Sequence, residues 1–263
     1  MRVARRAVSV LLVLFALAEI SGAITTFEVE VTCPICGTKN KFYDYASWGS
    51  YVYQYPSKYQ LVFWPSTDPT SWYICQHCHL SLAMWDFKEF PKEKVAVVKA
   101  ALQGVKVEKK YKEYGEVPMS VRLEIAEKVY RLLDKDDGFW AHFYRVAGYH
   151  LAYEGKATEA AEARKHALEY IQRVLDKNAE PGHRKELLLA SAAMKHFLGD
   201  DLGCDEDLET AAALTYGDSK IEAAKTKGYD AYLSQLIADY RTKLKVKAVP
   251  ADLPTDTNRK DDD

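Results

Sequence analysis

The chain has 263 residues, of which 48% are hydrophobic and 28% are charged, and its formal net charge is −2. This length allows one large domain or two modest domains with a real core, and the composition is ordinary for a soluble globular protein. A mildly acidic chain without a long basic stripe is a poor candidate for binding nucleic acid, whose backbone requires clustered Lys and Arg, so we expect no nucleic-acid partner.

The first 23 residues have the layout of a secretory signal peptide. The positive segment contains Arg2, Arg5 and Arg6, the apolar run extends from Val8 to Leu17, and the small residues for cleavage are Ser21, Gly22 and Ala23. The apolar run is shorter than the roughly 20 residues that a membrane-spanning helix needs. We predict that residues 1–23 are cleaved, with an uncleaved N-terminal anchor as the alternative. The protein is then exported, periplasmic or extracellular, with no stable membrane insertion after cleavage.

The next segment predicts a β-strand that leads into a pair of cysteines. Thr25 to Thr32 alternates apolar and polar residues, which is typical of a half-buried strand. Cys33-Pro34-Ile35-Cys36-Gly37 follows, in which Pro34 stiffens a tight turn and Gly37 supplies a positive φ as the chain leaves it. Lys39 to Tyr43 is predicted as the return strand.

A second pair, Cys75-Gln76-His77-Cys78, lies between two more predicted strands, Trp72 to Ile74 and His79 to Trp85. Two Cys-x-x-Cys pairs supply four sulfur donors, which is the ligand set of a tetrahedral structural Zn²⁺. We therefore predict Cys33, Cys36, Cys75 and Cys78 as the ligands of one zinc ion. Four thiolates leave no coordination position open for a substrate, so the predicted ion is structural.

Export leaves other interpretations of these cysteines open. Outside the cytoplasm cysteines often form disulfides. Two bridges that join one pair to the other are the better structural alternative, because a bridge within a two-residue gap closes a very small loop. A redox-active Cys-x-x-Cys is a further alternative, although the βαβ context of a thioredoxin-like motif is missing. His77 or His79 could also replace one cysteine as a metal ligand.

Between the two pairs, residues 43–72 are rich in Tyr and Trp, including Trp48 and Trp64. Such side chains stack on sugar rings, peptides or ligand cations. The simpler interpretation is that they pack a small domain that has few aliphatic residues. Binding of glycan or cell-wall material through this segment is retained as an alternative function.

From Pro91 onward the composition changes to Ala, Leu, Glu and Lys at helical spacing. The predicted helices are Pro91–Gln103, Ser120–Leu133, Phe139–Glu154, Thr158–Leu175, Pro181–Phe197, Asp205–Ala213 and Lys220–Leu244. The clearest is the second, which Ser120 is expected to cap. Residues 248–263, with two prolines and an acidic end, are predicted to be disordered.

A weak repeat relates two parts of this helical region. Tyr144, Gly148, Gly155, Ala160 and Ala167 recur 44 positions later as Leu188, Ala192, Gly199, Cys204 and Ala211. Small residues let antiparallel helices approach closely, and glycine suits the turn between them. Both features are typical of the helical hairpin of a tetratricopeptide repeat. Because that repeat has about 34 residues, we expect a longer second helix between the units, with another antiparallel bundle as the alternative. Cys204 is then a small buried residue at a helix contact.

The chain resembles the uncharacterised bacterial DUF2225 family over residues 26–215. The resemblance rests on Cys33–Gly37, the second Cys-x-x-Cys, the aromatic spacer and Phe139–Tyr149. It implies a zinc-ribbon-type module followed by tetratricopeptide-like helices, and metal binding at the four cysteines, with no activity attached. His79 departs from the family pattern, because glycine usually follows the second Cys-x-x-Cys pair in that family.

We predict an α+β protein with a small β-rich zinc-ribbon-like module at residues 24–90 and a mainly α-helical tetratricopeptide-like bundle at residues 91–247. The predicted function is an exported, non-enzymatic zinc-binding scaffold that presents a groove to a protein or peptide partner. A thiol–disulfide oxidoreductase is a further alternative. The sequence has no Gly-x-Ser-x-Gly elbow, no Gly-rich phosphate loop and no His-Glu-x-x-His spacing.

Overall fold

The computed structural model describes residues 25–47, 67–177, 179–217 and 223–243. In these ranges two small β-sheets come first and eight α-helices follow, which confirms the predicted α+β class. The predicted signal peptide at residues 1–23, residues 48–66 of the aromatic-rich segment and the predicted tail at 248–263 lie outside the described residues.

Each sheet is an antiparallel pair of strands. The strands are β1 (Thr25–Thr32), β2 (Lys39–Ser47), β3 (Trp72–Ile74) and β4 (Ser81–Ala83). β1 pairs with β2, and Thr32 lies opposite Lys39. β3 pairs with β4, and Ile74 lies opposite Ser81. The turn of each hairpin therefore contains one of the two cysteine pairs.

The prediction of a continuous strand from His79 to Trp85 is wrong. β4 ends at Ala83, and a short helix, α1, occupies Met84–Lys88. Met84 and Phe87 are buried while Trp85 is 47% exposed. Residues three apart share one face of a helix, so both buried side chains reach the core from the same side.

Seven longer α-helices follow in the described part of the chain. They are α2 (Val95–Leu102), α3 (Met119–Tyr130), α4 (Asp137–Tyr153), α5 (Ala157–Asp176), α6 (Pro181–Phe197), α7 (Asp201–Ala212) and α8 (Ala223–Lys243). The predicted start at Asp205 is four residues late, because the side chain of Asp200 accepts a hydrogen bond from the N–H of Gly203 and caps α7.

The prediction that Ser120 caps α3 is also wrong. The helix begins at Met119 after Pro118, and no side chain of the adjacent sequence caps it. The N–H of Ser120 instead donates to the carboxylate of Glu154, which lies at the end of α4. A side chain distant in sequence therefore satisfies this helix end, and an acidic group near a helix N-terminus is also electrostatically favourable.

The predicted repeat is present in the fold as two helical hairpins, α4–α5 and α6–α7. α6 begins and ends 44 positions after α4, and α7 begins 44 positions after α5. Gly155 and Gly199 occupy equivalent places in the two turns, with φ of +74° and +84°, a region that other residues rarely adopt. The extra length lies in the second helix of the first hairpin, since α5 has 20 residues and α7 has 12.

Aromatic packing joins the two sheets to each other. The ring of Phe42 in β2 stacks on that of Tyr73 in β3, with their centroids 4.0 Å apart. Phe87 and Tyr114 contact both of these rings edge-on. The hydroxyl of Tyr73 also donates to the carbonyl oxygen of Tyr43 at 2.9 Å. These contacts hold the two hairpins side by side, so that their turns lie close together.

A buried arginine connects the second sheet to the helices. Arg122 in α3 is 1% exposed, and its guanidinium donates to the carbonyl oxygens of Val117, Pro69, Trp72 and Gly115. Burial lowers its pKa to about 10, so the side chain stays charged at neutral pH. Because two of these carbonyls belong to the segment that enters β3, one side chain fixes that strand against α3.

We predict that Arg122→Met lowers the free energy of unfolding by about 3 kcal/mol, because buried carbonyl oxygens lose their donors. Chemical denaturation measures the change. Lys128→Met is the matched control, since Lys128 is exposed on the same helix, and it should shift stability by less than about 0.5 kcal/mol. Equal stability of Arg122→Met and the wild type would contradict this role for the guanidinium.

Candidate metal centre

The first cysteine pair lies in a tight turn between β1 and β2. The N–H of Cys33 donates to the carbonyl oxygen of Thr38 at 2.8 Å, and the N–H of Gly37 donates to that of Cys33 at 3.0 Å. Gly37 has φ of +73°, as predicted for the residue that leaves the turn. The thiol of Cys36 lies 3.3 Å from the hydroxyl oxygen of Thr38.

The second pair repeats this geometry in the turn between β3 and β4. The N–H of Cys75 donates to the carbonyl oxygen of Leu80, and the N–H of His79 donates to that of Cys75, both at 2.9 Å. His79 occupies the place of Gly37 and has φ of +60°, which is uncommon for a residue with a side chain. The turn therefore keeps the same hydrogen bonds although glycine is missing.

The two turns bring the four predicted ligand sulfurs together. The Sγ atoms of Cys33, Cys36, Cys75 and Cys78 all lie within 4.8 Å of one another, and the Cys33–Cys78 and Cys36–Cys75 separations are 3.6 Å. A tetrahedral ion with metal–sulfur bonds of about 2.3 Å places its sulfurs about 3.8 Å apart. The four side chains are therefore positioned to hold one metal ion.

The same distances bear on the disulfide alternative. A disulfide bond is about 2.05 Å long, far shorter than the closest sulfur pairs here. All four cysteines of the cluster, and Cys204 in α7, are free thiols in the structure. Cys204 is 4% exposed at a helix contact, as predicted.

Hydrogen bonds between the sulfurs shift the pKa values of the cysteine thiols in opposite directions. The pKa of Cys75 is lowered mainly by its hydrogen bond with Cys33 and, to a smaller extent, by its hydrogen bond with Cys78. The pKa of Cys33 rises to about 12 because its thiol is hydrogen-bonded to Cys75, and that of Cys78 rises because its thiol is hydrogen-bonded to Cys33 and Cys75. A bound dication would displace these protons and compensate the thiolates, so metal binding competes with protonation.

Asn40 is a part of the site that sequence reasoning missed. Its side chain is 5% exposed, and its Nδ2 donates to the carbonyl oxygen of Thr38 in the first turn at 2.9 Å. Its Oδ1 accepts from the N–H of Gln76 in the second turn at 3.2 Å. One amide thus bridges the two cysteine turns. The only sequence signal is a polar residue that is unfavourable in a strand.

The structure does not place a histidine in the cluster. Among the described residues, the one group of His, Cys, Asp and Glu side chains close enough to hold an ion contains only the four cysteines. His77 is exposed and His79 is half-buried beside them. The four-cysteine prediction therefore needs neither histidine.

Comparisons with models of protein families, with curated proteins and with solved structures found no match. The likeness to the DUF2225 family and to tetratricopeptide repeats therefore stays a prediction. In the part of the chain that the structure describes, no helix is both long and apolar enough to cross a bilayer.

We predict that His79→Gly keeps the full metal content and raises the free energy of unfolding by about 1 kcal/mol, because glycine adopts a positive φ without steric cost. Metal analysis and denaturation of the metal-loaded protein measure the two quantities. His77→Gly is the control, since His77 lacks a positive φ, and it should not gain stability. Loss of metal from His79→Gly would mean that this imidazole is a ligand.

Proposed function

We propose that this chain is an exported, non-enzymatic protein-interaction scaffold whose N-terminal region is organised by structural zinc. The four-cysteine cluster is the observation that carries the zinc assignment. Thiolate ligands suit Zn²⁺, whereas Mg²⁺ and Ca²⁺ prefer oxygen ligands. Export rests on the sequence of residues 1–23, which lie outside the described residues.

The proposed role of the ion is to fasten the two hairpins at their turns. Cys33 and Cys36 come from the first hairpin, and Cys75 and Cys78 from the second. Two-stranded hairpins are marginally stable on their own. Structural zinc contributes folding free energy on the order of 10 kcal/mol, which is enough to decide whether such a module folds.

A closed coordination shell supports the non-enzymatic part of the proposal. With four thiolates bound, a tetrahedral ion has no position left for water or substrate. The thiol–disulfide alternative requires a cysteine with a low pKa that a partner can reach. Cys75 has a lowered pKa, but it is 0% exposed and the cause is its hydrogen bonds to the neighbouring thiols. A buried thiolate surrounded by three other thiols suits metal binding, whereas thiol exchange requires a cysteine that a partner can reach.

The glycan-binding alternative depends on residues 43–72, most of which lie outside the described residues. Tyr43, at the start of that segment, is half-buried, whereas Tyr45 and Trp72 are buried in packing contacts. Tyr45 is 7% exposed and its hydroxyl is hydrogen-bonded to Thr70, while Trp72 is 5% exposed against Phe143. Tyr45 and Trp72 therefore present no stacking surface to a sugar.

The two helical hairpins supply the proposed interaction surface. Stacked hairpins leave an extended surface open to partners. Because α4 to α7 alternate in direction, the turns at Gly155 and Gly199 lie at the same end of the stack. Two large apolar side chains beside these turns are exposed, Tyr153 by 55% and Leu202 by 74%. We call this end, residues 153–156 and 197–202, the hairpin edge, and we infer that a partner protein contacts it.

We predict that the purified chain contains about one zinc ion, and that Cys33→Ser loses both the metal and the folded N-terminal region. Elemental analysis and amide NMR spectra measure the two effects. Cys204→Ser is the control, because Cys204 is a buried thiol remote from the cluster, and it should retain zinc. A chain without metal whose four cluster cysteines are oxidised would contradict the zinc assignment.

For the interaction surface we predict that a photo-crosslinking amino acid in place of Leu202 captures one discrete protein in the cells that naturally produce this chain. The same group in place of Lys128, an exposed residue of α3, should capture none. Gel shifts and mass spectrometry of both zinc-loaded variants make the comparison. Equal capture from the two positions, or none from either, would count against a partner at the hairpin edge.

A further inference from the structure

A cavity among three helices lies outside the metal centre. It has a volume of about 270 Å³, and residues of α4, α5 and α6 line it. Part of its wall is apolar and consists of Ala141, Ile171, Val174, Leu187 and Ala190. Sites for small molecules have volumes of about 300–1,000 Å³ and combine apolar walls with a few polar groups. The volume of this cavity lies just below that range, so it suits only a ligand of few atoms.

A buried arginine without a full set of partners lines the cavity. Arg145 is 7% exposed, and one of its terminal nitrogens lies 2.7 Å from Nδ1 of His142. Its Nε atom is buried and has no hydrogen-bond partner among the described residues. None of the described carboxylates forms an ion pair with it. A buried guanidinium is costly when its Nε has no acceptor and no counter-ion is paired with it, so we expect a ligand to supply a further acceptor and a negative charge.

Two other buried arginines differ from Arg145 in their surroundings. Arg122 donates to four carbonyl oxygens. Arg164 also has a buried Nε without a hydrogen-bond partner among the described residues, but its guanidinium packs over the ring of Phe197 at 4.7 Å and it does not line the cavity. Of these three side chains, Arg145 alone offers its hydrogen-bonding capacity to a cavity.

His142 contributes a neutral group beside this cation. A guanidinium has donors only, so Nδ1 of His142 accepts the hydrogen bond and the ring proton lies on Nε2. Burial, followed by the charge of Arg145, lowers the pKa of His142 to about 3. The ring is therefore uncharged at physiological pH and helps to orient Arg145.

Glu186 adds a negative charge to the same cavity. It is half-buried in α6, and its charge opposes the lowering of the Arg145 pKa that burial causes. It is close enough to interact with the guanidinium, yet the two form no ion pair. A purely anionic ligand would meet Arg145 and also the repulsion of Glu186, whereas a ligand with both charges complements the two groups.

We propose that this cavity binds a small zwitterionic α-amino acid with an aliphatic side chain. Its carboxylate accepts hydrogen bonds from Arg145, whose planar guanidinium suits that group. Its ammonium group faces Glu186, and its side chain contacts the apolar wall formed by Ile171, Val174 and Leu187. The proposal goes beyond the scaffold function, because it needs neither the metal ion nor a partner protein.

Calorimetric titration of the zinc-loaded full chain tests the proposal with four probes. L-leucine and L-valine carry both charges, 4-methylpentanoate lacks the ammonium group, and 3-methylbutylamine lacks the carboxylate. We expect one of the two amino acids to bind most tightly, 4-methylpentanoate to bind about tenfold more weakly, and the amine not to bind. No binding of either amino acid would overturn the proposal, as would equal affinity for the amino acid and 4-methylpentanoate.

Substitutions test separately how Arg145 and Glu186 contribute to ligand binding. Arg145→Met should weaken amino-acid binding by at least about tenfold in a folded chain, because an apolar side chain replaces an incompletely paired charge. Glu186→Gln should weaken amino-acid binding but not that of 4-methylpentanoate, and it carries the test if Arg145→Met does not fold. Arg164→Met, at a buried arginine away from the cavity, is the matched control and should bind like the wild type. Unchanged binding by both cavity variants would overturn the proposal.

Discussion

The N-terminal region depends on the approach of four cysteine sulfurs from two hairpins that have only two strands each. Such hairpins bury little surface, so a bond between their turns has a large effect on whether they fold. The backbone of both turns is set by the same pair of hydrogen bonds, and Asn40 links one turn to the other. Hydrogen bonds among the sulfurs lower the pKa of Cys75 and raise that of Cys78. A bound dication would replace the thiol protons and compensate the charge of all four sulfurs.

Buried polar groups, rather than the metal, join this region to the helices. Arg122 fixes the entry to β3 against α3, and the hydroxyl of Tyr130 accepts from the N–H of Ala83 in β4 and donates to Asp86 in α1. Both residues of α3 therefore contact the hairpin that carries Cys75 and Cys78. The hairpin edge and the Arg145 cavity belong to α4–α7, so the proposed binding surfaces are separate from the groups that hold the N-terminal region in place.

Features with a local signature were predictable from the sequence. Cysteine spacing indicated the metal ligands, and glycines 44 positions apart indicated the two helical hairpins. Short segments were ambiguous, because seven residues from His79 to Trp85 fit a strand as well as a turn, a short strand and a helix. Long-range contacts gave no signal. Glu154 caps α3 in place of Ser120, and the Nε of Arg145 lacks an acceptor because of how three helices pack.

One cation bound by four sulfurs is the central feature of the proposed N-terminal region. X-ray absorption at the zinc K edge of the purified chain tests this directly, because it reports the type, number and distance of the atoms around the metal. We predict four sulfur neighbours at about 2.3 Å and no nitrogen or oxygen neighbour. A first shell that contains nitrogen or oxygen, or a chain that binds no zinc when its thiols are reduced, would contradict it.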